Sequence, residues 1–247
     1  MSCARRVSAA VVAAAAIAVC WFCVSDRPAF AGGDDETRTI LFSGRDIWRN
    51  GAFLYGGVLL APGGFEQDGF LLKLIASGGL NRYNAASLGG AQVIGAEETI
   101  QIMPGFRIKR GDAEFKFFFG PDIEQHRLWP DDPSNSLRGH DFGLRIGFDI
   151  WYEPTAHTMA TMDGSLSSIA TNQSARVAFG WHVFDDQFYL GPETAYFGSD
   201  GYRHYRLGFH LTGLKTDNSQ WSVAGGWARD SDGVSSPYVR LGLMQKM

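Results

Sequence analysis

The sequence predicts an all-β protein: an antiparallel up-and-down transmembrane β-barrel of about 12 strands that follows an export signal. Three observations support this prediction. Segments that alternate apolar and polar residues recur along the chain, and their length of about ten residues suits strands that cross a bilayer at a tilt. The stretches between them are short and rich in turn residues. After residue 31, no apolar run is long enough for a membrane-spanning helix.

The first residues predict a signal peptide. Arg5 and Arg6 form a positive segment, a run of mostly Ala, Val and Ile follows, and Ala29-Phe30-Ala31 supplies the pattern that signal peptidase cuts after. An uncleaved membrane anchor is one alternative. A lipoprotein is another, because Cys20 ends a loose lipobox.

These features predict three parts of the chain. A signal peptide covers residues 1–31, a flexible leader covers residues 32–38, and the barrel domain covers residues 39–247. All three cysteines lie in the first part, so a processed chain has no disulfide and no cysteine-based metal site. The net charge of −4 at pH 7 argues against nucleic acid as a partner.

Alternation and turn residues define the strands in order. The candidates are Thr39–Arg49, Ala52–Ala61, Gly69–Tyr83, Thr99–Lys109, Ala113–His126, Phe142–Glu153, Thr158–Ile169, Ala175–Phe184, Gln187–Phe197, Tyr202–Leu214, Trp221–Arg229 and Tyr238–Lys246. The first two are joined by Asn50-Gly51, a strong hairpin signal. Residues 84–97 are rich in Ala, Gly and Ser and fit no strand clearly, whereas residues 128–140 predict a long surface loop.

The clearest strand is Phe142–Glu153, whose even positions are large and apolar and whose odd positions, apart from Trp151, are charged or glycine. Two prolines interrupt other candidates. Since proline inside a strand usually marks an edge or a bulge, Pro121 and Pro192 predict bulges. A soluble periplasmic β-sandwich would also alternate, but it would have to bury the apolar face of every strand.

The polar faces carry charges of both signs, which suggests two uses of the barrel interior. One is a plugged lumen that ion pairs make rigid. The other is a polar track for a hydrophilic chain, with Trp48 or Trp151 as a sugar-stacking platform. The candidate residues for this track are Trp48, Arg145, Asp149, Trp151, Glu153, Glu193 and Arg206.

No strong catalytic or metal motif is present. His204 and His210 share a strand face and could serve nucleophilic catalysis with a serine, but histidines that only satisfy hydrogen bonds are the simpler interpretation. Asp131, Asp132 and Asp141 could gather a divalent ion in the long loop, where a solvated acidic loop is simpler. We therefore predict no catalytic residue, no metal and no cofactor.

Several blocks together resemble a known family, the cellulose biosynthesis protein BcsS family of alphaproteobacteria. The blocks are LFSGRDIWRNGAFLYGGVLLAPGG (41–64), FFGPDIEQHRLWPDDPSNSLRG (118–139), GLRIGFDIWYEPT (143–155), SARVAFGWHVFDDQFYLGPE (174–193) and GGWARDSDG (225–233). The resemblance covers about residues 38–247 and implies an accessory role in making or exporting bacterial cellulose. The resemblance implies no catalytic residue for this chain.

The sequence and the resemblance together predict a non-enzymatic protein of the Gram-negative outer membrane, either a scaffold or an exit component in cellulose secretion. Its expected partners are outer-membrane lipid, the cellulose chain and other components of the cellulose synthase complex. Two alternatives stay open. One is an outer-membrane enzyme that modifies lipid A or polysaccharide, and the other is a periplasmic glucan-binding β-sandwich.

Overall fold

The computed structural model describes residues 37–216 and 218–247, and twelve antiparallel strands in these ranges close into a barrel. Each strand pairs with its neighbours in the sequence, and β1 pairs with β12 to close the sheet. The strands are β1 Thr39–Trp48, β2 Gly51–Leu60, β3 Gly69–Ala85, β4 Ala91–Arg110, β5 Ala113–Trp129, β6 Gly139–Thr155, β7 Thr158–Ser167, β8 Gln173–Val183, β9 Phe188–Ser199, β10 Tyr202–Thr216, β11 Ser219–Asp230 and β12 Ser235–Lys246.

The predicted fold class is confirmed, and all twelve predicted strands are present. The closed sheet excludes the β-sandwich, because a sandwich has two separate sheets with open edges. The predicted signal peptide over residues 1–31 lies outside the described residues, as does most of the leader. Among the described residues, no helix is both long enough and apolar enough to cross a membrane.

The unplaced stretch 84–97 belongs to the longest hairpin of the barrel. β3 runs on to Ala85, β4 begins at Ala91, and a 3-10 turn at Ala86–Leu88 joins them. Gly89 and Gly90 have positive φ angles of 67° and 85°, a conformation that glycine adopts without steric cost. Small side chains weaken the alternation in this stretch, and the pairing with the neighbouring strands makes it β-structure.

The prediction of bulges at Pro121 and Pro192 is wrong. Pro121 lies opposite Leu144 and Pro192 opposite Phe209, both in unshifted register. Proline lacks an N–H group, so each proline removes a possible ladder hydrogen bond while the strand keeps its register. The register shifts instead between Tyr152 and Thr155, and around Gly213.

The barrel has two ends. We call the one that carries Thr37, Met247 and the turns 61–68, 111–112, 156–157 and 184–187 the terminal end. The opposite one, the loop end, carries residues 49–50, 86–90, 130–138, 168–172, 200–201 and 231–234. The backbone N–H of Met247 donates to the Thr39 carbonyl, which places the two chain termini of the barrel side by side.

The outer face is covered by large apolar side chains. Those that stay exposed include Phe70, Ile100, Phe106, Phe117, Phe119, Phe142, Leu144, Ile146, Trp181, Leu207, Phe209 and Trp227. The charged side chains of the strands mostly point inward. This distribution is the reverse of a soluble protein, in which the apolar side chains form the interior.

Candidate functional site: the barrel lumen

Arg145 lies at the centre of one buried ion-pair network in the lumen. Its guanidinium contacts Asp122 at 2.8 Å and Glu124 at 3.2 Å, and it donates to the Ser165 hydroxyl at 3.1 Å. Asp122 and Glu124 are 0% and 1% exposed. Burying charges is costly unless opposite charges and hydrogen bonds satisfy them, so this network holds β5, β6 and β7 together from the inside.

Glu193 is the centre of a second network. It accepts a hydrogen bond from the Tyr238 hydroxyl at 2.9 Å, and it pairs with Arg240 at 2.6 Å and with Arg176 at 3.5 Å. Arg176 also pairs with Asp163 at 2.6 Å. Two arginines therefore share one fully enclosed carboxylate, and the network connects β7, β8, β9 and β12.

A third group surrounds Arg206 near the loop end. Arg206 donates to both carboxylate oxygens of Asp46 at 2.8 Å. Its guanidinium carbon also lies 5.1 Å from the ring centre of Trp48 and 4.6 Å from that of Phe197. Such contacts are favourable because a cation is attracted by the negative face of an aromatic ring.

Trp48 is half-buried and contacts three neighbouring side chains. One neighbour is Phe53, whose ring is stacked at 5.6 Å, and others are His204 at 5.2 Å and Arg206. A sugar-stacking platform needs an open ring face. In this structure, the contacts of Trp48 with Phe53 and Arg206 compete with that use.

The remaining predicted track residues lie in two further places. Asp149 pairs with Lys73 at 3.0 Å across the lumen. Trp151 donates to Glu153 at 3.0 Å near the terminal end, where Glu153 also accepts a hydrogen bond from Tyr189. Of the seven residues, the structure thus groups Trp48 with Arg206, and Trp151 with Glu153, while Arg145 and Asp149 line one cavity. Glucan binding by this set stays a prediction.

An apolar plug lies in the lumen toward the terminal end. The β2–β3 turn folds Phe65 inward, where it is 8% exposed and packs within one cluster of buried side chains. We define the plug by these residues: Ile40, Leu59, Ala61, Phe65, Leu71, Met103 and Phe118. Sequence reasoning missed it, because Phe65 sits among turn residues outside any alternating strand.

Two cavities lie in the lumen between these groups. One, of about 200 Å³, is lined by Lys73, Arg145, Gly147 and Asp149, among others. The other, of about 220 Å³, is lined by residues that include Arg176 and Arg240. Pockets that enclose drug-sized ligands usually measure about 300–1,000 Å³, so each of these two cavities is smaller than such a pocket.

The proposed divalent-ion cluster of the long loop is instead a hydrogen-bonded turn. Asp132 accepts hydrogen bonds from Ser134, Ser87 and Tyr83, and Asp131 pairs with Arg138. The bonds from Ser134 and Ser87 lower the pKa of Asp132 to about 2. A carboxylate with this many protein donors is already satisfied, so the contacts tie the loop to the β3–β4 hairpin.

The two candidate catalytic histidines, His204 and His210, differ in their contacts. His204 is packed between aromatic rings, and neither of its ring nitrogens has a hydrogen-bond partner among the described residues. His210 contacts the Thr212 hydroxyl at 2.9 Å and the Phe179 carbonyl at 3.2 Å. A catalytic His requires a nucleophile and an orienting group within hydrogen-bond reach. His204 lacks both contacts, whereas His210 reaches one hydroxyl and one backbone carbonyl, with no serine and no carboxylate among its hydrogen-bond partners in the described part of the chain.

Comparison with known proteins gives one family and a group of similar folds. The family model described as cellulose biosynthesis protein BcsS matches residues 40–247. No curated protein matches the chain significantly.

The similar solved structures are bacterial barrels. An outer membrane channel from Pseudomonas putida F1 superposes with a TM-score of 0.51 at 11% identity, covering 90% of this chain and 100% of that one. The translocator domain of the autotransporter NalP from Neisseria meningitidis gives 0.47 at 11% identity, with coverages of 88% and 90%. The KdgM porin gives 0.45 at 10% identity, with coverages of 84% and 99%. At these identities the likeness concerns the fold.

Proposed function

The chain belongs to the cellulose biosynthesis protein BcsS family, and from this premise we propose that it is a non-enzymatic outer-membrane barrel that acts as a scaffold in cellulose secretion. The membrane assignment is supported by the belt of exposed apolar side chains around a closed barrel. A closed barrel leaves no unpaired strand edge, which is the condition for β-structure in lipid.

The observation that favours a scaffold over an exit component is the filled lumen. The apolar plug lies toward the terminal end, and the ion pairs Lys73–Asp149 and Arg240–Glu193 join strands that are not neighbours in the sheet and so cross the interior. A secreted glucan chain would have to displace these groups, which would expose buried charges without their partners. We therefore place the surface that serves cellulose secretion on the loops and rims of the barrel.

Localisation is tested by fractionation. We expect the protein in the outer-membrane fraction of a sucrose gradient, resistant to carbonate washing, with heat-modifiable mobility in gel electrophoresis. A protein that stays monomeric and water-soluble without detergent would contradict the membrane assignment.

The scaffold role is tested by filling the lumen further. A Cβ atom added at Gly147, which lines the first cavity, would come no closer than 3.6 Å to another residue. A Gly147→Leu variant should therefore fold and narrow the lumen. Gly78→Leu is the matched control, since a Cβ at Gly78 has the same clearance and β3 places it on the outer face.

The readout is cellulose deposited by a deletion strain that carries each variant, measured as glucose released by cellulase. For a scaffold, Gly147→Leu should restore as much cellulose as the wild type and Gly78→Leu. A selective loss with Gly147→Leu, in protein that still shows heat-modifiable mobility, would indicate an exit channel. If deletion of the gene leaves cellulose output unchanged, the family-based role itself fails.

A further inference from the structure

Three metal-ligating side chains meet at the terminal end of the barrel, outside every group described above. His157 lies in the β6–β7 turn, His182 near the end of β8, and Asp186 in the β8–β9 turn. The ligand atoms of the three residues all lie within 4.8 Å of one another. The pairing of β7 with β8 makes the two turns neighbours, although 29 residues separate His157 from Asp186 in the sequence.

The distances fit a tetrahedral ion. Asp186 Oδ1 lies 3.2 Å from His157 Nδ1 and 3.3 Å from His182 Nδ1. With metal–ligand bonds of about 2.0–2.1 Å, neighbouring ligands of tetrahedral zinc are about 3.3 Å apart. Two of the three edges of the cluster therefore already have the required length, and the 72% exposed His157 side chain has the freedom to adjust the third.

The surrounding residues orient the least mobile of the three ligands. The His182 ring stacks on Tyr189 with a centroid distance of 3.8 Å. The Tyr189 hydroxyl in turn donates to Glu153 at 3.3 Å. His182 is thus fixed by stacking, and its Nδ1 points toward both Asp186 and the carbonyl of Ala156, which lies 3.2 Å away.

The β8–β9 turn adopts an unfavourable backbone conformation to present Asp186. Phe184, Asp185 and Asp186 have consecutive φ angles of 53°, 56° and 62°, a left-handed conformation that non-glycine residues seldom adopt in succession. Hydrogen bonds between exposed charged groups stabilise a structure only weakly. Backbone hydrogen bonds from Gln187 N–H to the Val183 and Phe184 carbonyls also close the turn, and a bound cation would add a further constraint on Asp186.

We infer that His157, His182 and Asp186 form a binding site for one divalent transition-metal ion of the Zn²⁺ type, which joins the β6–β7 and β8–β9 turns at the terminal end. Two imidazole nitrogens and one carboxylate oxygen are ligands that zinc commonly takes, and solvent supplies the remaining position. Binding through His182 Nδ1 requires the neutral tautomer whose proton is on Nε2, so His182 gives up its contact with the Ala156 carbonyl when the metal binds.

Zinc titration of the folded barrel in detergent, prepared without a polyhistidine tag, tests the site. Isothermal titration calorimetry should give one Zn²⁺ per chain, and Co²⁺ should give the visible absorption of a tetrahedral complex. His157→Ala and Asp186→Asn should each weaken Zn²⁺ binding by about tenfold or more, because each removes a ligand. His140→Ala is the matched control, since His140 is an exposed histidine of β6 outside the cluster, and it should leave the affinity unchanged.

A second measurement separates the site from loss of folding. Both His157 and Asp186 are exposed, so their variants should keep heat-modifiable mobility. Zn²⁺ should raise the unfolding temperature of the wild type and of His140→Ala, but not of the double variant His157→Ala/Asp186→Asn, since a ligand that binds only the folded state stabilises it. Unchanged Zn²⁺ affinity in the folded double variant, or no binding by the wild type at millimolar Zn²⁺, would overturn the inference.

Discussion

At the scale of single residues, charge pairing inside the lumen determines which side chains the barrel depends on. Arg145 is 8% exposed and faces two carboxylates with almost no solvent access. Glu124 also contacts His126 at 3.0 Å, so each of the two carboxylates has at least one basic side chain in contact. Replacing Arg145 by a neutral residue would remove the one arginine that pairs with both buried carboxylates.

We therefore expect Arg145→Ala to lower the free energy of unfolding by about 3–5 kcal/mol, the range measured when one partner of a buried pair is removed. Arg138→Ala removes the exposed partner of Asp131 in the long loop and should cost about 0–1 kcal/mol. Denaturant unfolding in detergent, followed by tryptophan fluorescence, measures both. Equal effects of the two substitutions would show that water reaches the Arg145 network.

At the scale of elements, the bulge in β10 depends on a single glycine. Gly213 has a φ of 96° at the point where the register between β10 and β11 shifts. Only glycine adopts this backbone conformation without steric conflict. The absence of a side chain at Gly213 therefore allows β10 to hold one extra residue at the bulge.

Gly213→Ala should accordingly destabilise the barrel by about 1–2 kcal/mol through backbone strain. Gly78→Ala is a suitable control, since Gly78 has no positive φ and a Cβ there would meet only ordinary contacts. The midpoint of heat-modifiable mobility compares the two variants. A smaller effect for Gly213→Ala than for Gly78→Ala would mean that the bulge relocates at low cost.

We expect the order of the long loop at residues 130–138 to depend on Asp132, which accepts hydrogen bonds from three hydroxyl groups. Asp132 has a pKa of about 2 in the folded state against about 3.9 in unfolded chains. A lowered folded pKa means that the ionised form contributes stability at pH values above about 4. That contribution is lost as the pH falls toward 2.

A spin label on Ser136→Cys, in a chain whose three native cysteines are replaced by serine, reports the order of this loop. We expect its mobility to rise between about pH 4 and pH 2. With Asp132→Asn the label should be mobile already at neutral pH and change little over that window. A label equally immobile at pH 2 and pH 5 would show that Asp132 does not hold the loop.

At the scale of the whole molecule, the outer belt and the filled interior are complementary. The exposed apolar side chains would be unfavourable in water but are favourable against acyl chains, while the lumen satisfies the inward charges within the protein. The barrel thus uses lipid as the solvent for its large residues. Because the outer face contacts lipid, the free-energy cost of placing a charged side chain there depends on how deep in the bilayer that side chain lies.

Ile146 is 51% exposed in the middle of β6, and Ile47 is 43% exposed next to the end of β1. Ile146→Arg should destabilise the barrel folded into lipid vesicles by about 2–4 kcal/mol, whereas Ile47→Arg should cost only about 0–1 kcal/mol. Denaturant titration in vesicles and in detergent measures the difference. Equal costs at the two positions would argue against a bilayer around the belt.

Sequence reasoning could identify the elements because alternation is a local property. Phe142–Glu153 shows both faces of its strand within twelve residues, and the structure extends it only to Gly139–Thr155. The same alternation between the two faces of a strand predicted that Arg145, Glu193 and Arg206 point into the barrel. It failed between residues 84 and 97, where small side chains give no contrast between the faces.

The sequence by itself determined the strand order, because short turns join consecutive strands. It also determined the membrane-type distribution of apolar side chains and the inward position of the charges, because both follow from residues two apart on one strand. Only the tertiary structure decided that Phe65 plugs the lumen, that Arg145 faces Asp122 and Glu124, and that His157 meets Asp186. These contacts depend on the register and curvature of the closed sheet, which bring together residues far apart in the chain, and no local pattern encodes them.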